Sequence, residues 1–130
     1  MNKRILCIEF EGEFEPYSLE RPRASSKKFK ETLRAHGYRL VERGSSKVNK
    51  EEGEFALIVL FGLSRTPNQL RGLAYLLYLR HLFPKPRLLC VTGHEEAKVI
   101  EEIEKIGGDY FLRERSELDF IRRVSASTNQ

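Results

Sequence analysis

The side chains with reactive chemistry in this sequence stand mostly at the ends of apolar runs. "RILCIEF" (4–10) delivers Glu9 and Phe10, with Glu11 next, and "RLLCVTGH" (87–94) delivers Thr92 and, one glycine later, His94. If both runs are strands of one parallel sheet, these groups gather at its carboxyl edge, where open α/β sheets collect ligands. Glu9 and His94 could then share acid–base work, although a lone histidine in a loop is more often simply solvated. The most apolar run, "ALIVLFGL" (56–63), carries Phe61 near its end, a ring with no lone pair for a hard cation or an electrophile. "GLSRTPN" (62–68) sets Ser64, Arg65 and Thr66 ahead of a helix, a weak anion-site signal without the glycine spacing of a phosphate loop. Capping explains Thr66 better. Cys7 and Cys90 lie inside apolar runs with neither C-x-x-C nor metal-ligand spacing, so both read as buried, inert thiols. No metal and no cofactor is implied.

The elements that must position these groups follow from the apolar periods. Short apolar runs at 4–10, 38–42, 55–62, 87–93 and 109–114 read as strands, the second of them exposed. Residues 25–37 read as a helix, with serine caps, Phe29 and Leu33 on one face and Gly37 as terminator. Residues 64–83 open with Thr66–Pro67 and carry an inner stripe of Leu70, Leu73, Ala74, Leu77 and His81, with Pro84 and Pro86 as stops. Val99, Ile103 and Ile106 mark a third helix at 95–108. Ser116 and Asp119 form a capping-box-like start for a fourth at 116–126, burying Leu118, Ile121 and Val124. Residues 43–54 are polar with almost nothing to bury, so any helix there is short and weak. Alternation at this spacing means right-handed βαβ units and a doubly wound parallel sheet covered on both faces. Gly12, Pro16 and Pro22 make 12–24 an inserted loop, longer than the ~2–6 residues usual between strand and helix. The domain is expected to span 1–126, with a polar tail at 127–130.

The 130 residues suit one domain, and the 40% hydrophobic and 32% charged fractions suit a globular one. No apolar run approaches the roughly 20 residues that span a bilayer, so no membrane association is expected. The first ten residues read as a strand rather than a signal peptide, which makes the cytoplasm the expected compartment. The net charge of +4 is unevenly placed: residues 9–20 hold five glutamates and no basic residue, and residues 21–50 hold ten Lys/Arg against Glu31 and Glu42. That basic stretch suits either a solvated face or, through Arg21, Arg23, Lys27, Lys28, Lys30 and Arg34, a polyanion such as nucleic acid. No helix-turn-helix is recognisable, and aromatic interleaving is poor.

"RILCIEFEG", "AHGYRLVERG", "ALIVLFG", "LLCVTGH" and "KIGGDYFLRER" together resemble the CheY-like receiver domain of two-component response regulators over nearly the whole chain. The resemblance implies a five-stranded sheet of order 2-1-3-4-5. It also implies a pocket in which acidic residues after the first strand hold Mg²⁺, an aspartate ending the third strand accepts a phosphoryl group, and a lysine after the fifth pairs with it. Here Glu9 and Phe10 stand at the acidic pair, Phe61 at the nucleophile, Thr92 at the family's threonine and Glu114 at the lysine. Residues 50–70 contain no aspartate in any register. The expectation is a degenerate pseudo-receiver, not an enzyme, with Phe61 and Phe10 filling the former pocket and the 12–24 loop either covering it or flexible. By the same resemblance, Phe111 takes the place of a switch aromatic beside Tyr110, on the family's helix 4–strand 5–helix 5 face; a plain core phenylalanine is the equal alternative. The domain is then expected to act by contact with a signalling partner, or as a homodimer through that face.

Overall fold

The structure, a computed structural model, describes residues 3–10, 20–49, 54–63, 69–93 and 97–128. Five strands, β1 (Arg4–Glu9), β2 (Arg39–Gly44), β3 (Leu57–Leu63), β4 (Arg87–Thr92) and β5 (Gly108–Leu112), form one sheet of order β2-β1-β3-β4-β5. All four pairings are parallel. The helices are α1 (Glu20–Ala35), α2 (Gln69–Leu82), α3 (Ala97–Lys105) and α4 (Glu117–Thr128), and a 3-10 turn, η1 (Ser45–Lys47), stands between β2 and β3. The doubly wound α/β architecture expected from the sequence is the one observed.

Side chains alternate across a strand, so each run feeds both layers. Ile5, Cys7, Leu57, Val59, Phe61, Leu89, Val91 and Phe111 face α1 and α4, where they meet Phe29, Leu33, Phe120, Ile121 and Val124. Leu6, Ile8, Ile58, Leu60, Leu88 and Cys90 face the other way and pack with Val48, Phe55, Leu76, Leu79, Phe83 and Ile103. Because both faces are covered, the three central strands read as continuous apolar runs.

Helix ends follow local chemistry. Gly37 and Gly107 both take φ of +86°, and Gly37 permits the Tyr38 N–H to reach back to the Leu33 carbonyl at 3.1 Å, closing α1. The Ser116 hydroxyl accepts the Asp119 N–H at 3.2 Å, which is the cap expected there.

Two helix boundaries differ from expectation. Helix α1 starts at Glu20 and takes Pro22 into its first turn, where a missing N–H costs nothing, so the long loop ends before residue 20. Helix α4 runs to Thr128, whose hydroxyl donates to the Val124 carbonyl at 3.0 Å, so 127 and 128 are not tail. Ile121 and Val124 are buried as expected, but Leu118, expected inside, is 57% exposed on the first turn of α4. The inner stripe of α2 is also rotated. Leu76, Leu79 and Phe83 are buried, whereas Ala74, Leu77 and His81 are exposed. The helix is apolar all round, so period alone could not choose its inner face.

Both sheet edges are blunted by charge. On β5 the Tyr110 N–H donates to the Asp109 carboxylate at 2.9 Å, and the Tyr110 carbonyl accepts from Arg123 at 3.0 Å. Arg123 also pairs with Asp109 at 2.8 Å. On β2, Arg43 covers the Glu42 carbonyl at 2.8 Å, with Arg39, Glu42 and Arg43 all exposed.

Candidate functional site

The carboxyl edge is built by β1, β3 and β4. Glu9 lies opposite Phe61 in the β1–β3 register, and Phe61 lies opposite Val91 in β3–β4. A register shift between Phe61 and Leu63 pairs Leu63 with Thr92. Phe61 points into the α1/α4 layer and is 2% exposed. Phe10, by contrast, lies with the opposite layer, its ring 5.7 Å from Tyr75, and only its backbone N–H meets Phe61, at the carbonyl, at 2.8 Å. The two phenylalanines do not fill one pocket, as the sequence suggested, because successive residues at a strand end face opposite sides.

What meets Phe61 instead is Lys30. Ser26, Phe29, Lys30 and Leu33 form the i, i+3, i+4, i+7 stripe of α1, and all four are buried. The Lys30 stem runs along the apolar layer, and its ammonium stands 5.7 Å from the Phe61 ring centroid. It donates to the Glu9 carboxylate at 2.8 Å and pairs with Glu42 at 3.2 Å. Arg34 adds a second cation to Glu42. Burial opposes the Lys30 charge and is the largest single influence, but the hydrogen bonds and attraction of Glu9 and Glu42 outweigh it. The ammonium is therefore held above the ordinary lysine value of 10.5. Burial likewise opposes the Glu42 charge, and Lys30 and Arg34 together overcome it, so its carboxyl lies below the ordinary 4.5. Burial pushes the Cys7 thiol up to about 12, against a smaller opposite pull from Lys30, and also raises Cys90. Neither thiol is an available nucleophile.

The remaining predicted groups scatter. Thr92 is buried at the end of β4, and its carbonyl accepts the Arg113 N–H at 3.0 Å. Glu114 does not turn inward to invert the charge of the edge: its side chain is exposed and meets only Arg113 weakly, at 3.9 Å. The cation that folds back from the end of β5 is Arg113, whose guanidinium lies 3.0 Å from where a Cβ on Gly93 would stand. Phe111 is 1% exposed, packed edge-on to Phe29 at 5.8 Å and against Phe120 at 5.4 Å, so it presents no surface to a partner. Tyr110 is half-buried against the α2/α3 layer. Of the predicted polyanion residues, Lys27 is exposed, Lys28 pairs with Glu117 at 3.4 Å, and Lys30 and Arg34 are spent on Glu9 and Glu42. Glu11, Ser64, Arg65, Thr66, His94 and most of the 12–24 loop lie outside the described residues, as do the side chains of Arg21 and Arg23.

These donors do not fit a divalent cation. Glu9 and Glu42, the carboxylates that meet here, already share the Lys30 ammonium, while Phe10 and Phe61 bring no side-chain oxygen. Among the described residues no group of three potential metal-ligating side chains is found, and no helix is long and apolar enough to cross a membrane.

No family model and no curated protein sequence matches the chain. Solved structures do. A CheY-like response regulator receiver domain from Methanospirillum hungatei superposes with a TM-score of 0.74 at 17% identity, covering 99% of this chain and 95% of that one. A response regulator from Thermotoga maritima gives 0.74 at 14% identity with both chains fully covered. A receiver domain from Clostridium thermocellum gives 0.71 at 15% identity over 97% and 94%. At such identities the likeness is one of fold: the chain has the receiver fold.

Proposed function

We propose that this domain is a receiver-like signalling module that transfers no phosphoryl group and acts by contact with a protein partner. The observation that carries the reading is the Lys30 ammonium seated on Glu9 and Glu42 beside the Phe61 ring. A receiver fold places its reactive carboxylates at this edge. Here the edge has a ring where an acyl phosphate would form and an internal cation on the carboxylate that remains. The lysine belongs to α1 and is always present, so the arrangement around Glu9 does not depend on a diffusible ion or a phosphoryl donor. A fold with no chemistry of its own to perform exerts its effect through its surface.

Incubation with acetyl phosphate and Mg²⁺, read by intact-mass spectrometry, tests this. The expected result is no phosphoryl adduct, together with an unchanged amide spectrum on addition of beryllofluoride. A phosphorylated side chain at the carboxyl edge, or spectral changes centred on Glu9 and Phe61, would sink the proposal.

A further inference from the structure

Helix α2 leaves an apolar stripe in solvent. Leu77 is 58% and Tyr78 44% exposed, and Ala74 and His81 complete the i, i+3, i+4, i+7 pattern on the outward side. The helix and the strands flanking it add no carboxylate, since residues 55–94 contain no aspartate or glutamate. Arg80 is not part of this surface: it turns inward and donates to the carbonyls of Ile106, Gly107, Pro84 and Pro86 at 2.8 to 3.3 Å. Beside the stripe, the segment between β2 and β3 contributes one 3-10 turn among the described residues. The Tyr75 and Tyr78 hydroxyls bridge to it, donating to the Ser45 and Val48 carbonyls at 2.9 and 3.3 Å. Lys47, exposed and adjacent to Val48, therefore flanks Tyr78.

We infer that the outer face of α2, centred on Leu77 and Tyr78, binds an amphipathic helix of a protein partner whose apolar stripe is bordered by acidic residues. This rests on the reading of the domain as a contact module and names the surface and the chemistry of what it contacts. Charge complementarity chooses the occupant. A second copy packed α2 to α2 would bring together two helices with no carboxylate between them to pair with Lys47 or Lys85. A second copy packed α2 to α3 would set Leu77 against Glu101, Glu104 and Lys105, the exposed charges of α3. An acidic amphipathic helix matches both the apolar centre and the exposed cations Lys47 and Lys85.

The probe is a synthetic helical peptide with leucines at i, i+3, i+4 and i+7 and glutamates flanking them, titrated into ¹⁵N-labelled full chain. A second peptide carries lysine for every glutamate. The expected result is amide shifts confined to residues 74–81 and 46–48. Leu77→Glu is expected to weaken binding by about tenfold or more, and Lys47→Glu by about threefold, as rim charges do. The lysine peptide is expected to bind at least about tenfold more weakly than the glutamate one. Leu77→Gln serves as the second variant if Leu77→Glu melts early. Shifts mapping to α3, β5 and α4, equal binding of both peptides, or no shift at millimolar peptide would overturn the inference. So would a concentration-dependent dimer in sedimentation that Leu77→Glu abolishes, which would give the face to a second copy. Because phosphoryl-donor insensitivity is read on free protein, a failure here leaves that result standing and moves the contact to another face.

Discussion

On one face of the sheet α1 and α4 close over Phe29, Phe111 and Phe120, whose rings stand 4.5 to 5.8 Å apart, and Lys30 seals the upper rim with two carboxylates. On the other face α2, α3 and, among the described residues, one 3-10 turn cover the strands, and tyrosine hydroxyls bridge the gap to that turn while Leu77 remains in water. Among the same residues, the first face leaves a lone large apolar side chain outside, Leu118 at 57% exposure, and pairs Lys30 with Glu9 and Glu42. The second exposes Leu77 and Tyr78 side by side, on a helix that carries no carboxylate. On the proposed reading as a contact module, the first face mainly sustains the structure and the adjacent Leu77–Tyr78 pair is the surface offered for recognition. The comparison can be broken by showing that the first face tolerates damage or that the second does not.

The largest effect is expected from Phe120→Ala. The ring is fully buried and touches both other phenylalanines, so its loss leaves a cavity and should cost about 3–5 kcal/mol in urea unfolding. A loss below roughly 1 kcal/mol would mean that the α1/α4 layer is loosely packed and that the contrast between faces is false.

Lys30→Met comes next. It keeps an apolar stem over Phe61 but leaves Glu9 without its cation and Glu42 with only Arg34. Breaking a fully buried pair costs about 3–5 kcal/mol, but the Glu42 side chain is 44% exposed, so screening reduces the expected loss to about 1–2 kcal/mol. Adding Glu9→Gln to Lys30→Met should recover part of that loss, because the unpaired carboxylate is then gone. No recovery would show that the lysine acts through its stem alone.

The same network sets a pH window. Glu42 has a depressed value in the folded state, so its contribution is complete above 4.5 and is lost as pH falls through that lower value. Lys30 has a raised value, so its contribution is complete below 10.5 and is lost as pH rises through the higher one. Glu42→Gln should therefore be less stable than wild type near neutrality, with the gap closing well below pH 4.5. An equal gap at both pH values would remove Glu42 from the network.

Much of this was readable in advance, and the misses have physical causes. Strand order and layers followed from apolar runs separated by helical periods, because burial on both faces leaves few other solutions. The sequence offers Lys30 as a polyanion-binding residue or as part of a solvated face, and not as the buried partner of Glu9. The signal that could have found it was its place on the Ser26, Phe29, Leu33 stripe, where a surface lysine does not belong. The rotation of α2 was beyond reach of periodicity, because leucine and tyrosine occupy every side of the helix. The exit of β5 hid a different problem. Adjacent Arg113 and Glu114 carry opposite charges, and only the backbone bond from Arg113 to Thr92 decides which of them turns back over the sheet. Phe111 reads equally as a surface aromatic or a core ring, because an aromatic on an edge strand can face either layer and one residue of register moves it between them; the structure has it in the core.

The smallest effect should come from Leu77. Neighbouring Leu76 is fully buried and would cost about 2–5 kcal/mol as Leu76→Ala, whereas Leu77 is 58% exposed and touches little that folding needs. Leu77→Gln should therefore change unfolding free energy by no more than about 0.5 kcal/mol in either direction. If urea midpoints show a loss comparable to that of Leu76→Ala, the residue belongs to the core and the second face is as finished as the first. If stability holds while helix binding falls, the leucine has no structural reason to be apolar, and recognition is the reason that remains.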